Sequence, residues 1–256
     1  FGLKANGYFG IGQWMYQLAA GTIQPPVADL PANATAKEIA AYEKTVAQWD
    51  ALSLDKLKDY PLDLDQAAKL LDQDEWRLGK DGIRAKKIDG KTVALDLTLI
   101  YPEGNAVGDA LNATLTENLA AIGVRLTVKA VPMNELLDIY YRRAERNCDM
   151  IYLATNFGTV FDPSTTYSTD EAYVKTVNRT GIRDKKLAQL AVDMRKTEPG
   201  DVLSYCQKWV AFQERWTEVL PAIPVYSNVY FDFYTTRLQN YRVTENQTWT
   251  QAIVGA

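Results

Sequence analysis

The 256 residues include 28 basic and 32 acidic side chains, and the resulting formal charge of −4 offers no basic patch for nucleic acid. Histidine is absent, which excludes His-dependent triads, Cys–His dyads and HExxH zinc sites. No apolar run approaches the roughly 20 residues that a membrane-spanning helix requires.

The first part of the chain predicts helices separated by loops. Residues 7–20 (GYFGIGQWMYQLAA) begin with glycines and aromatics and become helical toward Met15 and Leu18, where we expect Trp14 and Tyr16 to belong to a core. Residues 36–51 predict a polar helix with apolar side chains at spacings of three and four. The chain opens without a methionine, and we expect it to be a piece of a longer protein.

The middle of the chain alternates between strand and helix patterns. A helix begins at Leu64, with Asp63 or Asp65 as its cap, and the dipeptides at 81–82 and 89–90 (both Asp-Gly) predict turns of a hairpin. Next come a strand over 92–100, a helix over 107–122, a strand over 124–131, a helix over 133–146 and a buried strand over 149–154. This βαβαβ order predicts a parallel sheet with helices on its faces, and therefore an α/β fold.

The last part of the chain predicts two helices and two short strands. The helices cover 185–196 and the residues after Asp201, and we expect the aromatic stripe of the second helix to be core. A proline-bounded run over 220–226 suggests an edge strand or a crossover, and residues 230–234 (YFDFY) alternate as a strand. The tail over 240–256 has no strong pattern.

Residues 147–163 (NCDMIYLATNFGTVFDP) are the strongest candidate for a binding site. A buried strand that opens into a polar, glycine-bearing loop is typical of a ligand crevice at the carboxyl end of a sheet. The alternative is a solvated loop without a ligand. The candidate ligand-binding residues are Thr155, Asn156, Phe157, Gly158, Thr159 and Asp162.

The sequence gives little support to catalysis. No glycine-rich phosphate loop and no GxSxG motif follows a strand, so we predict no cofactor, no metal and no catalytic residue. Paired carboxylates remain an alternative, either Asp149 with Asp162 or the group Asp72, Asp74 and Glu75. Cys148 and Cys206 are expected to be buried thiols, with a disulfide as the other possibility.

Several segments in order give the chain a family resemblance. They are residues 62–101, residues 112–163 (which end in NFGTVFDP), NRTGIRDKKLAQL over 178–190 and EVLPAIPVYSNVYFDFY over 218–234. Together they resemble the peptide/nickel (oligopeptide- and dipeptide-binding) family of extracellular solute-binding proteins of ABC importers. The resemblance implies one lobe of a two-lobed, type II periplasmic-binding-protein-like fold, with an entry segment over 1–60, a core over 61–236 and a tail over 237–256.

The resemblance also implies function. A peptide or similar solute would be trapped between two lobes and delivered to a membrane permease. The full-length protein would be periplasmic or a membrane-anchored extracellular lipoprotein, and this fragment a monomer. Peptide-binding members carry an aspartate for the ligand's amino terminus where this chain has Gly158 or Thr159, whereas Asp162 matches an acidic residue before proline. An uncharged or mixed polar and apolar solute is therefore expected, and the alternatives are an α/β hydrolase or the solute-sensing domain of a signalling receptor.

Overall fold

The computed structural model describes residues 2–158, 160–174, 176–229, 233–242 and 249–254. The chain forms two compact units: unit 1 comprises Phe1–Asp59 and Asn156–Ala256, and unit 2 comprises Tyr60–Thr155. The boundary between Thr155 and Asn156 lies inside the range 61–236, which was predicted to form one core. The assignment of the whole chain to one ligand-binding lobe stays a prediction. Among the described residues, every helix is too short or too polar to span a membrane.

The secondary-structure elements follow one another along the chain. They are β1 (Gly2–Lys4), α1 (Trp14–Ala19), α2 (Ala36–Asp50), α3 (Leu64–Gln73), β2 (Arg77–Leu78), β3 (Arg84–Ile88), β4 (Lys91–Ala94), β5 (Asp96–Pro102), α4 (Ala106–Ala121), β6 (Arg125–Val131), α5 (Met133–Tyr140), β7 (Met150–Ile151), α6 (Glu171–Val174), α7 (Lys185–Arg195), α8 (Val202–Val219), β8 (Tyr226–Asn228) and α9 (Trp249–Val254).

A three-stranded parallel sheet, in the order β6–β5–β7, forms the centre of unit 2. Leu99 of β5 pairs with Val128 on one side and with Met150 on the other. Parallel neighbours require crossover connections, which α4 and α5 provide. Ile100 of β5 is buried with Leu136 and Ile139 of α5. The predicted βαβαβ arrangement and the α/β fold class are confirmed.

An antiparallel sheet of β2, β3 and β4 precedes the parallel sheet in unit 2. Asp89 and Gly90 both have left-handed φ angles (50° and 77°), as a two-residue type I′ hairpin requires. The prediction of one continuous strand over 92–100 is wrong at Leu95. Its N–H donates to the carbonyl of Arg84 (2.7 Å), whereas its carbonyl accepts from the N–H of Arg125 (3.0 Å). The chain therefore leaves one sheet and enters the other at this residue.

Two other predicted elements of unit 2 are shorter than expected. The helix α5 ends at Tyr140 and not at residue 146, because Arg142 turns into the left-handed region (φ 58°) and the N–H of Arg143 bonds back to the carbonyl of Asp138. The strand β7 contains only Met150 and Ile151, both half-buried, and not a fully buried strand over 149–154.

The core of unit 1 is built on α8. Asp201 caps this helix by accepting the N–H of Ser204 (3.1 Å), and the predicted aromatic stripe is buried at Trp209, Phe212 and Trp216. Met15 and Leu18 of α1 belong to the same core. The predicted core role of this stripe is confirmed.

An ion pair joins the start of α7 to α8. Asp184 caps α7 by accepting the N–H of Leu187 (2.7 Å), and its carboxylate lies 2.5 Å from the guanidinium of Arg215. The hydrogen bond from Arg215 is the main cause that lowers the pKa of Asp184. The pair therefore stabilises the packing of α7 on α8 while the carboxylate is ionised.

Unit 1 also contains the helix α2 and a pair of short strands, β1 and β8. A capping box between Thr35 and Glu38 begins α2 close to its predicted start. The strands β1 and β8 pair antiparallel. Of the run over 220–226, for which an edge strand or a crossover was predicted, only Tyr226 belongs to β8, which continues to Asn228. The strand predicted over 230–234 lies outside the described residues at 230–232. In the predicted tail, 243–248 and 255–256 also lie outside them.

The two cysteines are free thiols. Cys206 is fully buried in the core of unit 1, and Cys148 is half-buried against the small apolar cluster of unit 2. Burial raises the pKa of Cys206 to about 12 and also raises the pKa of Cys148. Both thiols are therefore protonated and weakly nucleophilic at neutral pH.

Candidate functional site

The candidate segment over 147–163 crosses the boundary between the two units. In unit 2, the N–H of Asp149 donates to the carbonyl of Thr98 (3.0 Å) and the N–H of Tyr152 to that of Ile100 (2.9 Å), which extends the pairing of β7 with β5. Thr155 follows this pairing as an exposed residue. The predicted position of Thr155, beyond the carboxyl end of a parallel strand, is thus observed.

Phe157 in unit 1 is half-buried among aromatic rings. Its ring centroid lies 5.0 Å from that of Tyr8 in an edge-to-face arrangement, and 6.1 Å from that of Phe161. Tyr8 in turn stacks on Trp216 of α8, with 5.7 Å between centroids. Phe157 therefore anchors the loop to the core of unit 1, a role that the sequence did not reveal. Its contact with a solute stays a prediction.

The residues beside Phe157 are accessible. Asn156 and Gly158 are exposed, and the carbonyl of Gly158 accepts a hydrogen bond from the side-chain amide of Gln13 (3.3 Å). A Cβ at Gly158 would come near only the carbonyl oxygen of Val160, at 3.9 Å. Thr159 lies outside the described residues. Among the described residues outside its chain neighbours, a Cβ at Gly158 therefore has space.

Asp162 has partners within its own unit. Its Oδ1 accepts the N–H of Ser164 (3.0 Å), and its Oδ2 lies 3.7 Å from Nε of Arg195. The hydroxyl of Tyr205 donates to the carbonyl of Phe161 (2.6 Å). Burial, and then the nearby charge of Asp162, raise the pKa of Tyr205 to about 12, so this donor keeps its proton at neutral pH. Asp162 thus helps to shape the turn that leads out of the loop.

Three other carboxylates considered for catalysis also have structural partners. Asp149 accepts the backbone N–H of Thr98 (2.8 Å). Asp72 pairs with Arg84 at 2.5 Å, and Asp74 pairs with Lys86 at 3.0 Å. In the described part of the chain, no three Cys, Asp or Glu side chains cluster closely enough to hold a metal ion. These contacts account for the carboxylates as groups that stabilise the fold.

Sequence reasoning missed two glutamines that hold the loop and its neighbours. Gln13 is 6% exposed and Gln213 is completely buried. Gln213 lies on α8 among the buried aromatic residues at 209, 212 and 216. A polar residue within the apolar stripe of a helix indicates a buried hydrogen-bonding group, and the sequence showed this pattern. Gln13 precedes α1 and gave no comparable signal.

Comparison with known proteins identifies the family. The family model described as "Bacterial extracellular solute-binding proteins, family 5 Middle" matches residues 16–175. The comparison with curated proteins gave no match. Among solved structures, the oligopeptide-binding protein of Thermus thermophilus, complexed with a pentapeptide, is 26% identical with a TM-score of 0.58. The match covers 66% of this chain and 30% of that one.

Two further solved structures share the fold over most of this chain. The oligopeptide-binding protein of Bacillus subtilis, in complex with a nonapeptide, gives a TM-score of 0.62 at 17% identity and covers 88% of this chain and 36% of that one. The mannohexaose-bound periplasmic oligopeptide-binding protein of Thermotoga maritima gives a TM-score of 0.54 at 18% identity. This match covers 89% of this chain and 45% of that one. The chain thus spans between 30% and 45% of the length of these three structures.

These matches agree with the geometry. The α/β fold corresponds to part of the oligopeptide-binding proteins, and members of the matched family bind solutes and do not catalyse reactions, so the hydrolase alternative is wrong. The matched range 16–175 includes both the parallel sheet and the candidate loop. The chain belongs to family 5 of the bacterial extracellular solute-binding proteins.

Proposed function

We propose that this chain supplies the second lobe of the substrate-binding component of an ABC importer. The complete protein captures a peptide or a similar small solute between two lobes and delivers it to the membrane permease. Family membership and the partial coverage of oligopeptide-binding proteins support this role. Closure of lobes around a solute is a hinge motion, driven by contacts that the solute makes only in the closed form.

The chemistry of the loop favours a solute without a free amine at this position. Asp162 is the single carboxylate among the described residues of 155–162, and it is held by Ser164 and Arg195. The accessible groups are the hydroxyl of Thr155, the amide of Asn156 and the side chain of Val160, which is 86% exposed. The carboxylate of Asp162 is also 39% exposed, and Nε of Arg195 lies 3.7 Å from it. Amide and aliphatic groups suit an uncharged or mixed polar and apolar solute. The neutral accessible groups, together with the pairing of the one carboxylate with Arg195, are the observation that carries the proposed solute class.

The ligands of the relatives belong to two chemical classes. The Bacillus subtilis and Thermus thermophilus structures hold peptides, and the Thermotoga maritima structure holds mannohexaose, an uncharged oligosaccharide. The fold therefore accommodates both classes of ligand. We propose that the loop over 155–162 selects between them in this protein.

Calorimetry on the complete protein tests the solute class. We expect a pentapeptide pool with free amino termini and the same pool after N-acetylation to bind with similar affinity. Gly158→Asp should then strengthen binding of the free pool by about 10- to 100-fold, because a charge-assisted hydrogen bond contributes about 1.5–3 kcal/mol. Gly158→Ala is the matched control, since its Cβ has space. A wild-type protein that binds only the free pool would refute the proposed class.

The two-lobe account makes a separate prediction for the chain alone. Half of a crevice lacks the contacts that form on closure, so we expect no measurable heat of binding from the 256-residue chain with either pool. Micromolar affinity of the chain alone would contradict the account.

The proposal also includes the location. We propose that the full-length protein is periplasmic or is anchored outside the cell as a lipoprotein. Partition of the full-length protein into the detergent phase of a Triton X-114 separation would show an anchor. A signalling module in the full-length gene product would instead favour the sensory alternative.

A further inference from the structure

Two buried glutamines connect the candidate loop to the core of unit 1. The side-chain amide of Gln213 accepts the N–H of Tyr8 (2.8 Å) and donates to the carbonyl of the same residue (2.9 Å). A buried amide is costly unless its donors and acceptors are satisfied, and here both bonds go to one backbone position. Gln213 therefore fixes the backbone of Tyr8 against α8.

Tyr8 carries this constraint to the loop. Its ring centroid lies 5.7 Å from that of Trp216 and 5.0 Å from that of Phe157, so a displacement of Tyr8 would remove its edge-to-face contact with Phe157. Edge-to-face and stacked aromatic pairs have preferred geometries, so the position of one ring restricts the position of the ring that it contacts. The first link between core and loop is thus Gln213 to Tyr8 to Phe157.

Gln13 provides the second link. Its Oε1 accepts the N–H of Gly10 (3.2 Å), and its Nε2 donates to the carbonyl of Gly158 (3.3 Å). The N–H of Ile11 donates to the hydroxyl of Ser227 on β8 (3.2 Å), which ties the same N-terminal segment to a strand. The segment over 8–13 is therefore held at both ends and in turn holds Phe157 and Gly158.

We propose that Gln13 and Gln213 are positioning residues of the solute site, which hold the loop at Phe157 and Gly158 before a solute arrives. This inference rests on the proposed function for its link to binding. Ordering the loop in advance removes a cost that the solute would otherwise have to offset, and so raises affinity without a direct contact.

The test uses Gln13→Glu, which keeps the acceptor for Gly10 and loses only the donor to Gly158. Gln207→Glu on α8 is the matched control, because it makes the same charge change at an exposed position. The backbone order parameters of residues 156–158, from nitrogen-15 relaxation of the 256-residue chain, should fall from about 0.85 toward about 0.6 in Gln13→Glu, because the bond that holds the carbonyl of Gly158 is lost. The order parameters of α8 should equal those of the control.

Gln13→Met provides a second variant without a buried charge, and it should give the same local loss of order. Unchanged order parameters at 156–158 in both variants would overturn the inference, and so would a general loss of order that includes the core of α8. That second pattern is the one that a merely structural glutamine would produce.

The binding arm uses the N-acetylated pentapeptide pool and the complete protein. We expect Gln13→Glu to weaken binding by several-fold, mainly through faster dissociation. Lower order parameters with unchanged affinity would overturn the link between loop order and solute binding. If the wild-type protein does not bind the pool, the proposed solute class fails, while the relaxation experiment still decides whether Gln13 positions the loop.

Discussion

Among the described residues of unit 2, Arg84 is a buried cation that donates three hydrogen bonds, and its replacement by methionine removes all of them. Arg84 is 6% exposed. Its Nε donates to the carbonyl of Ile122 (2.7 Å), and its Nη1 donates to the carbonyl of Trp76 (2.7 Å) and to the carboxylate of Asp72 (2.5 Å). These contacts join β3 to the ends of α3 and α4. Methionine has a comparable stem but no donor, so all three acceptors lose their partner.

The expected loss can be worked out from the individual contacts. A hydrogen bond to a charged group contributes about 1.5–3 kcal/mol, and two such bonds go to backbone carbonyls. The carboxylate of Asp72 is 52% exposed, so water can replace its partner and its loss adds little. The methionine side chain regains some apolar burial. We therefore expect unit 2 to be destabilised by about 3 kcal/mol.

Native-state hydrogen exchange measures this loss in the parallel sheet itself. The most protected amides of β5 exchange only when unit 2 opens, so a loss of about 3 kcal/mol should speed their exchange by about 100-fold. Arg77→Met is the control, because Arg77 is 68% exposed and its guanidinium lies 4.0 Å from the same carboxylate. It should change the rate by less than about fivefold. Equal effects of the two variants, or less than about tenfold for Arg84→Met, would refute the reasoning.

Three further variants or reactions test other parts of the structure. A Cβ at Gly108 would overlap the ring of Tyr101, so Gly108→Ala should destabilise unit 2 by about 1–3 kcal/mol in urea unfolding, and an unchanged midpoint would contradict this packing. Because burial raises the pKa of Cys206 to about 12, a thiol reagent at neutral pH should modify Cys148 first and reach Cys206 only after denaturation; rapid reaction of both in the native chain would be inconsistent with it. The lowered pKa of Asp184 means that its ion pair stabilises the fold above the ordinary value of 3.8 and is lost as the pH falls through the folded pKa. Asp184→Asn keeps a capping side chain, so its cost in stability at about pH 7 should shrink in urea unfolding as the pH falls below 3.8, and a cost that does not change with pH would disprove the charge effect.

Local signals predicted the order of the elements well. Asp63, Asp184 and Asp201 cap helices at or next to the predicted starts, because an aspartate that accepts an N–H of the first turn acts within a few residues. The βαβαβ order followed from alternating periodicities in the same way. The position of the candidate loop, after the strand that becomes β7, could also be predicted, since it depends on a change of composition along the chain.

Partners far apart in the chain decided the rest. Leu95 ends one strand and begins another because its N–H and its carbonyl bond to residues of two different sheets, at positions 84 and 125. The end of α5 depends on a left-handed Arg142, in a run of charged residues that contains no glycine or proline to mark it. Neither feature has a periodic pattern that a sequence can show.

The same distinction holds at the candidate site. The sequence by itself determined that a polar, glycine-bearing loop without histidine follows a strand, because composition and order along the chain are local properties. Only the tertiary structure decided that Phe157 is an anchor supported by Tyr8, and that Gly158 is bonded to Gln13, 145 positions earlier. These contacts form when the N-terminal segment packs beside the loop on α8, and a long-range contact of this kind depends on the shape of the folded core, which no local pattern records.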